Sequence, residues 1–288
     1  MTVAAGLPVA CQALVHIYRL EGNDVVALRG VDLDIDGGSR LALLGPSGSG
    51  KSTVLGLLAG LLRPSAGRLR IGDHDVGRMS ERELLGLRAT EVGVVLQNPG
   101  RNLLPYTTPL GNVGFAQRMA GRGRRNGRLP VPMELLDRLG LAPVARQPVP
   151  TLSGGEQQRL ALAVGLAHGP GLLLADEPTS QLDLDARRQV VDLLRHANED
   201  LGTTVVVVTH DPDVGEGMGR TVTIRDGRVG AEGRLGEEYA VVGRDGSVQL
   251  PPDTLDVLPP GTLARVVRYP WKIELHHPDR LPGDGETP

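Results

Sequence analysis

The residues with the clearest chemical purpose are Gly45-Pro46-Ser47-Gly48-Ser49-Gly50-Lys51-Ser52-Thr53. They satisfy G-x-x-x-x-G-K-[ST], the spacing of a loop that wraps a polyphosphate. Gly45, Gly48 and Gly50 let the backbone turn its N–H groups inward, and a helix starting at the loop's end adds its positive pole. Lys51 is placed to reach the β- and γ-phosphates, and the Ser52 hydroxyl to bind Mg²⁺. Downstream, Leu172-Leu173-Leu174-Ala175-Asp176-Glu177 sets two carboxylates at the end of an apolar strand. Asp176 is expected to hold Mg²⁺ through water, and Glu177 to polarise a water that attacks the γ-phosphate. Ser153-Gly154-Gly155 offers a hydroxyl and glycine N–H groups at a helix start, a second anion site. These residues together predict a nucleoside triphosphate as ligand.

Such groups need elements to hold them. Arg40-Leu41-Ala42-Leu43-Leu44 before the loop reads as a buried strand, and Val54-Leu55-Gly56-Leu57-Leu58 after it as a helix, the order the loop requires. Residues 172–175 and Thr204-Val205-Val206-Val207-Val208 are apolar throughout, as parallel strands covered on both faces are. Helices are predicted over 155–168 and 184–200, and strands alternating with helices make an α/β core. Nearer the start, residues 14–18, 25–28 and 31–35 alternate loosely as three strands, and Asp36-Gly37-Gly38 is a turn. Ser80 with Glu83 three residues on opens a capped helix over 80–88. Val92-Gly93-Val94-Val95-Leu96 is a short buried strand ending at Gln97, after which proline- and glycine-jointed helices form a small subdomain. Residues 221–224 turn at Asp226-Gly227 into a closing hairpin.

Composition excludes several classes. With 40% hydrophobic and 23% charged residues, the chain can build a substantial core and is not globally disordered. A net charge of −3 argues against a nucleic-acid coat. Cys11 is the single cysteine, which rules out an internal disulfide framework and fits a reducing compartment. The start lacks a basic region followed by an apolar core, so no signal peptide is expected. No stretch approaches the about 18 apolar residues of a membrane span, so any membrane role runs through a separate partner.

The octet Leu152-Ser153-Gly154-Gly155-Glu156-Gln157-Gln158-Arg159, lying between a phosphate loop and an acidic strand, resembles the nucleotide-binding subunit of an ABC transporter over residues 12–229. The resemblance implies an α/β P-loop NTPase core of ABC type: a mixed sheet flanked by helices, an antiparallel β subdomain, and a helical subdomain over about 98–165. It implies a head-to-tail homodimer with two ATP molecules, each held with Mg²⁺ by the phosphate loop of one subunit and the signature segment of the other. By match, Ser153, Gly154 and Gly155 contact the γ-phosphate across the interface. Gln97 touches Mg²⁺ and the attacking water, and Asp183 links the two sites. His210 contacts the γ-phosphate and orients Glu177, and Tyr18 stacks on adenine.

Residues 97–105 with Gly111-Asn112-Val113 resemble the branch that serves macrolide exporters, lipoprotein-release machines and related permeases. The implied role is an ATPase at the cytoplasmic face of the membrane, driving a separate integral-membrane permease. The alternative is a soluble ATP-driven switch acting in regulation or on DNA or ribosomes. Such relatives usually carry long coiled-coil insertions or a second phosphate loop, and neither occurs in this sequence.

Around that core the reading expects a flexible N-terminus over 1–11, a linker over 230–240, a small β-rich domain over 241–279 and a disordered tail over 280–288. The small domain resembles the swapped-hairpin barrel of transition-state regulators, in which two copies interlock. Its acids Asp245, Asp253, Asp256 and Glu274 dilute the positive charge that phosphate contacts need, which argues against nucleic-acid binding. A basic run, Arg118, Arg122, Arg124, Arg125 and Arg128, reads as a solvated face.

Overall fold

Apolar strands and amphipathic helices alternate along the chain, and burying both faces of the strands requires helices above and below them. The computed structural model describes residues 6–20, 22–121, 129–180, 182–234, 237–243, 246–250, 252–259 and 261–277. It contains two units, Met1–Tyr239 and Ala240–Pro288. Along the chain, β1 (Val9–Leu20), β2 (Asn23–Ile35) and β3 (Arg40–Leu44) lead to α1 (Lys51–Leu58). Then come β4 (Ala66–Ile71), β5 (His74–Asp75), α2 (Glu81–Thr90), β6 (Val92–Val95), α3 (Pro109–Ala120), α4 (Pro132–Arg138) and α5 (Gly154–Leu166). The unit continues through β7 (Leu172–Asp176), α6 (Leu184–Leu201), β8 (Thr204–Val208), α7 (Pro212–Met218), β9 (Arg220–Arg225), β10 (Arg228–Arg234) and β11 (Glu237–Ala240).

A seven-stranded sheet has the order β11-β10-β9-β3-β8-β7-β6, and β9, β3, β8, β7 and β6 run parallel. Its central strands divide their side chains between two cores. Leu41 and Leu43, Leu172 and Leu174, and Val206 and Val208 face the first, with α1, α2 and a second sheet. Ala42, Leu173, Ala175, Val205 and Val207 face the other, with α3 to α7. Period-2 alternation with no polar side is what a doubly covered sheet demands. The second sheet is antiparallel, in the order β2-β1-β4-β5.

Three expectations change. Residues 9–11 were expected in a flexible N-terminus but begin β1, with Leu7, Val9 and Cys11 buried in the core. The burial arises because β1 pairs with both β2 and β4, which a single-strand pattern does not reveal. Residues 25–28 and 31–35 form one continuous strand, β2, carried through Gly30 at φ 87°. The expected linker over 230–240 is mostly sheet, because β10 runs on to Arg234 and β11 adds a further strand. The second unit contains one antiparallel pair, β12 (Arg265–Arg268) and β13 (Ile273–His276), and an isolated bridge between Val242 and Val248. Arg122, Arg124, Arg125, Arg128 and the tail over 280–288 lie outside the described residues.

Candidate functional site

The phosphate loop joins β3 to α1 at the carboxyl edge of the sheet, the place where open α/β sheets bind ligands. Gly45 takes φ 137° and Gly50 φ 106°, and both stand where no side chain fits. A Cβ on Gly45 would come within 2.1 Å of the Ile224 carbonyl, and one on Gly50 within 2.8 Å of the Ala27 carbonyl. The loop is thus wedged between β9 and β2. The turn of the closing hairpin supports it: Asp226 and Gly227 both have positive φ, and Gly227 N–H donates to the Ser49 carbonyl at 3.0 Å. Gly50 is the N-cap of α1, and no side chain caps that helix. Its first N–H groups are left for an anion, the arrangement that suits phosphate.

Lys51 is 8% exposed, and its Nζ donates to the carbonyls of Gly45 at 2.7 Å and Pro46 at 2.9 Å. The charge is held inside its own loop. Ser49 is buried with an unpartnered Oγ in the same loop, while Ser47 and Gly48 are exposed at its tip. Ser52 Oγ donates to Asp176 Oδ1 at 3.4 Å. Burial holds the Asp176 carboxyl above its ordinary range; the Ser52 bond opposes the shift, the neighbouring Glu177 charge adds to it and Lys51 opposes it. A hydroxyl beside a partly desolvated carboxylate is a hard-oxygen set that fits Mg²⁺.

Glu177 follows at the end of β7 with φ 49°, a left-handed backbone that costs a non-glycine residue about 1 kcal/mol or more. Its N–H donates to the Val208 carbonyl at 2.8 Å, which fixes the side chain between β7 and β8. Glu177 Oε1 lies 2.9 Å from His210 Nδ1, and the carboxylate is buried while the imidazole is largely open to solvent. The geometry is that of a base oriented by a second titratable group.

Tyr18, on β1, reaches the loop through its hydroxyl, 3.2 Å from Thr53 Oγ1. Its ring stands edge-on to His16 at 4.6 Å and is 37% exposed, so a face remains for a planar ligand. The structure therefore brings together the loop, Asp176, Glu177, His210 and Tyr18.

Other expected residues stand apart. Ser153, Gly154 and Gly155 open α5, where Ser153 and Glu156 form a reciprocal cap: Ser153 N–H and Oγ reach Glu156 Oε2 at 2.7 and 2.8 Å. No described bond joins them to the loop. Asp183 caps α6 by accepting from Ala186 N–H at 2.8 Å. Gln97 is exposed just after β6, and no described bond links it to Ser52 or Asp176.

Two supporting residues escaped the sequence reading. Asn102 spans the Gln97 turn, accepting from Leu96 N–H and donating to the Leu96 carbonyl, both at 3.0 Å. Only its place in the compact Asn-Leu-Leu-Pro run hinted at a role. Arg187 pairs with Asp211 at 2.9 Å and ties α6 to the residue after His210. Nothing in the spacing marked that contact.

A family model described as ABC transporter matches residues 28–180. The lipoprotein-releasing system ATP-binding protein LolD of Legionella pneumophila (strain Lens) is 39% identical over 216 residues, covering 75% of this chain and 94% of that protein. The macrolide export ATP-binding/permease protein MacB of Rhodopirellula baltica is 39% identical over 218 residues, covering 75% of this chain and 32% of that one. The dimeric structure of a post-hydrolysis state of the ATP-binding cassette MJ0796, bound to ADP and Pi, superimposes with a TM-score of 0.73 at 35% identity, covering 79% of this chain and 98% of that chain. Loop, acidic strand and histidine sit in the fold that these proteins share. The chain belongs to the ABC transporter family, as an ATP-binding subunit.

Proposed function

We propose that this chain hydrolyses ATP with Mg²⁺ and drives a separate integral-membrane permease, pairing head-to-tail with a second copy across two ATP molecules. The observation that carries the reading is the Glu177–His210 contact at 2.9 Å, one residue beyond Asp176 and its Ser52 bond. Lys51 and the uncapped N–H groups of α1 neutralise and orient the β- and γ-phosphates. Ser52 and Asp176 would hold Mg²⁺, which would supply positive charge against the phosphate oxygens. Glu177 accepts a proton from water as the water oxygen bonds to the γ-phosphorus. The bond from that phosphorus to the bridging oxygen of ADP breaks. His210 keeps Glu177 Oε1 aimed and contacts the γ-phosphate. Tyr18 stacks on the adenine.

Ser153 and Gly155 have no described contact with their own loop, so they suit the ATP of another copy. The dimeric state in which MJ0796 was solved supports this pairing. Gln97, exposed just after β6, would face Mg²⁺ and the attacking water, and Asp183 would connect the two sites.

For the permease, MacB joins ATP-binding and permease in one name, and this chain covers 32% of it. Among the described residues no helix is long and apolar enough to cross a membrane. A groove of about 280 Å³ lies between the sheet and the helical layer, lined by Arg88, Ala89, Leu104, Phe115, Met119 and His168 among others. Phe115 and Met119 are exposed there, and Asn102 connects the groove to the Gln97 turn. A cytoplasmic helix of the permease fits this groove and places the chain at the inner membrane face. The soluble-switch alternative gains nothing from relatives that release lipoproteins or export macrolides.

The test is phosphate release from MgATP, together with capture of the Glu177→Gln protein from solubilised membranes of its host. Hydrolysis lost in the variant and a polytopic permease in near-equal amount are the expected results. Native-rate hydrolysis by Glu177→Gln removes the assigned base, and ribosomal or DNA-bound proteins without a permease overturn the transport reading.

A further inference from the structure

His16 and Tyr18 lie two apart on β1, so their side chains leave the strand on the same side. Among the described residues Tyr18 makes one side-chain hydrogen bond, to Thr53 Oγ1, and one ring contact, with His16. The two ring planes stand at 83°, with centroids 4.6 Å apart. These contacts constrain different freedoms. The Cβ–Cγ axis of a tyrosine runs through its hydroxyl oxygen, so a bond there fixes where the ring ends but not how it is turned. That torsion is broad for an aromatic side chain. A second ring packed perpendicular to the first sets the turn, because rotation loses the edge-to-face contact. The turn decides whether a planar base meets the tyrosine's face or its edge.

His16 is itself held. It is 7% exposed, and its Nδ1 lies 3.0 Å from the Arg63 carbonyl, which can only accept, so that nitrogen carries the proton. The backbone on either side is tied to one residue: Ser65 N–H donates to the Val15 carbonyl at 2.8 Å, and Ser65 Oγ accepts from Ile17 N–H at 3.0 Å. Opposite, His16 pairs with Leu28 and Ile17 with Val26, which leaves Ala27 of β2 as a bulge. The Ala27 carbonyl is the one that stands against Gly50 of the phosphate loop. Thr53 is in the first turn of α1, and Arg63 and Ser65 lie beyond its end. Tyr18 and His16 are therefore anchored to both ends of the helix that carries the loop.

We propose that His16 is a positioning residue for the nucleotide base: it sets the plane of the Tyr18 ring and so governs how tightly a base is held, as distinct from the phosphates. The role rests on the reading of Tyr18 as the adenine platform in the proposed function. One contact locates the ring, a perpendicular ring orients it, and a buried N–H holds the second ring in turn. The consequence is that the base platform and the phosphate loop form one body around α1.

The test compares binding of MgADP with that of magnesium pyrophosphate, which has the phosphates and no base, by calorimetry on the full chain. Tyr18→Ala should weaken MgADP at least about tenfold and leave pyrophosphate within about twofold. His16→Asn, which keeps an N–H for the Arg63 carbonyl and removes the ring, should weaken MgADP about three- to tenfold and spare pyrophosphate. In the Tyr18→Ala chain, His16→Asn should cost nothing further. Where His16→Asn fails to fold, His16→Phe restores a ring without the donor and should hold MgADP within about twofold of the native chain. Equal losses for both ligands, additive losses in the double variant, or no loss from His16→Asn each overturn the proposal. So does a phenylalanine that weakens MgADP as asparagine is expected to. If Tyr18→Ala itself spares MgADP, the adenine platform is misassigned and the role of His16 falls with it. If Tyr18→Ala removes the base's contribution and His16→Asn does not, the platform stands and the role of His16 alone is wrong.

Discussion

The phosphate loop and the start of α5 are both glycine-bearing helix N-termini with a serine close by, and the fold finishes them in opposite ways. At α1 no side chain caps the helix, Gly45 and Gly50 are locked by φ and by neighbouring carbonyls, and Lys51, Asp176, Glu177 and His210 converge. At α5 Ser153 and Glu156 satisfy each other. Those two bonds hold the Glu156 carboxyl below its ordinary range, the backbone bond first. Gly155 stands in ordinary helical backbone, where an added Cβ would meet only side-chain ends, Leu182 at 3.4 Å and Arg159 at 3.8 Å. An N-terminus with open N–H groups is a finished half of an anion site. An N-terminus stable by itself, exposed and free of crowding, is a surface offered to something else. The difference teaches that one helix start is left open by its own residues and the other is closed by them; on the proposed function the first is a catalytic half-site and the second a recognition half-site for another copy's ATP.

Breaking the first half should cost most. Lys51→Ala removes the one cation within the loop, and nucleotide affinity should fall at least about a hundredfold, with turnover lost. Fluorescent-nucleotide titration and phosphate release check it. Glu177→Gln should lower turnover about 10²- to 10⁴-fold, the range for a lost general base, while ATP binding persists and an ATP-bound dimer accumulates on size exclusion. Gly155→Asp sharpens the comparison from the other side. Folding and nucleotide binding by one subunit should stay native, since an acid in the first turn suits the helix dipole. ATP-driven dimerisation and turnover should drop at least about tenfold, because the new charge opposes a phosphate. If Gly155→Asp instead weakens nucleotide binding by the single subunit, the two half-sites are not separate.

A smaller effect lies outside both. His168 is buried in the groove wall, and burial pushes its imidazole down to about 4, against a backbone bond at Val92. The unfolded chain therefore binds a proton between about pH 6.5 and 4 that the folded chain refuses, and stability is full above 6.5 and falls as pH drops toward 4. Chemical denaturation at pH 7 and pH 4.5 should differ by about 2 to 3 kcal/mol more in the native chain than in His168→Asn.

The loop and the acidic pair were legible early because their patterns are local. Loop spacing and an acidic pair at a strand end each need only a few consecutive residues, while His210 and Tyr18 were reached through the family resemblance. The capping box at Ser80 was legible for the same reason, whereas Ser153 read as an anion site and its reciprocal bond with Glu156 came only with the structure. Arg187–Asp211 and the burial of Cys11 were not, since each depends on elements far apart in sequence meeting in the sheet or beside it. The 230–240 segment, rich in glycine and acids, looked like a linker because edge strands need little apolar pattern when one side is open.

The sequence by itself determined the family and the form of the loop between β3 and α1, because short-range spacing dictates loop conformation and helix caps. Tertiary structure alone decided that Glu177 meets His210 and that Tyr18 reaches Thr53, and it leaves Ser153 bonded to Glu156 at the start of α5. It also decided that Val266, Ile273 and Leu275 lie open on one face. Those outcomes follow from strand order and register, which are set by long-range burial rather than by any local stretch of chain.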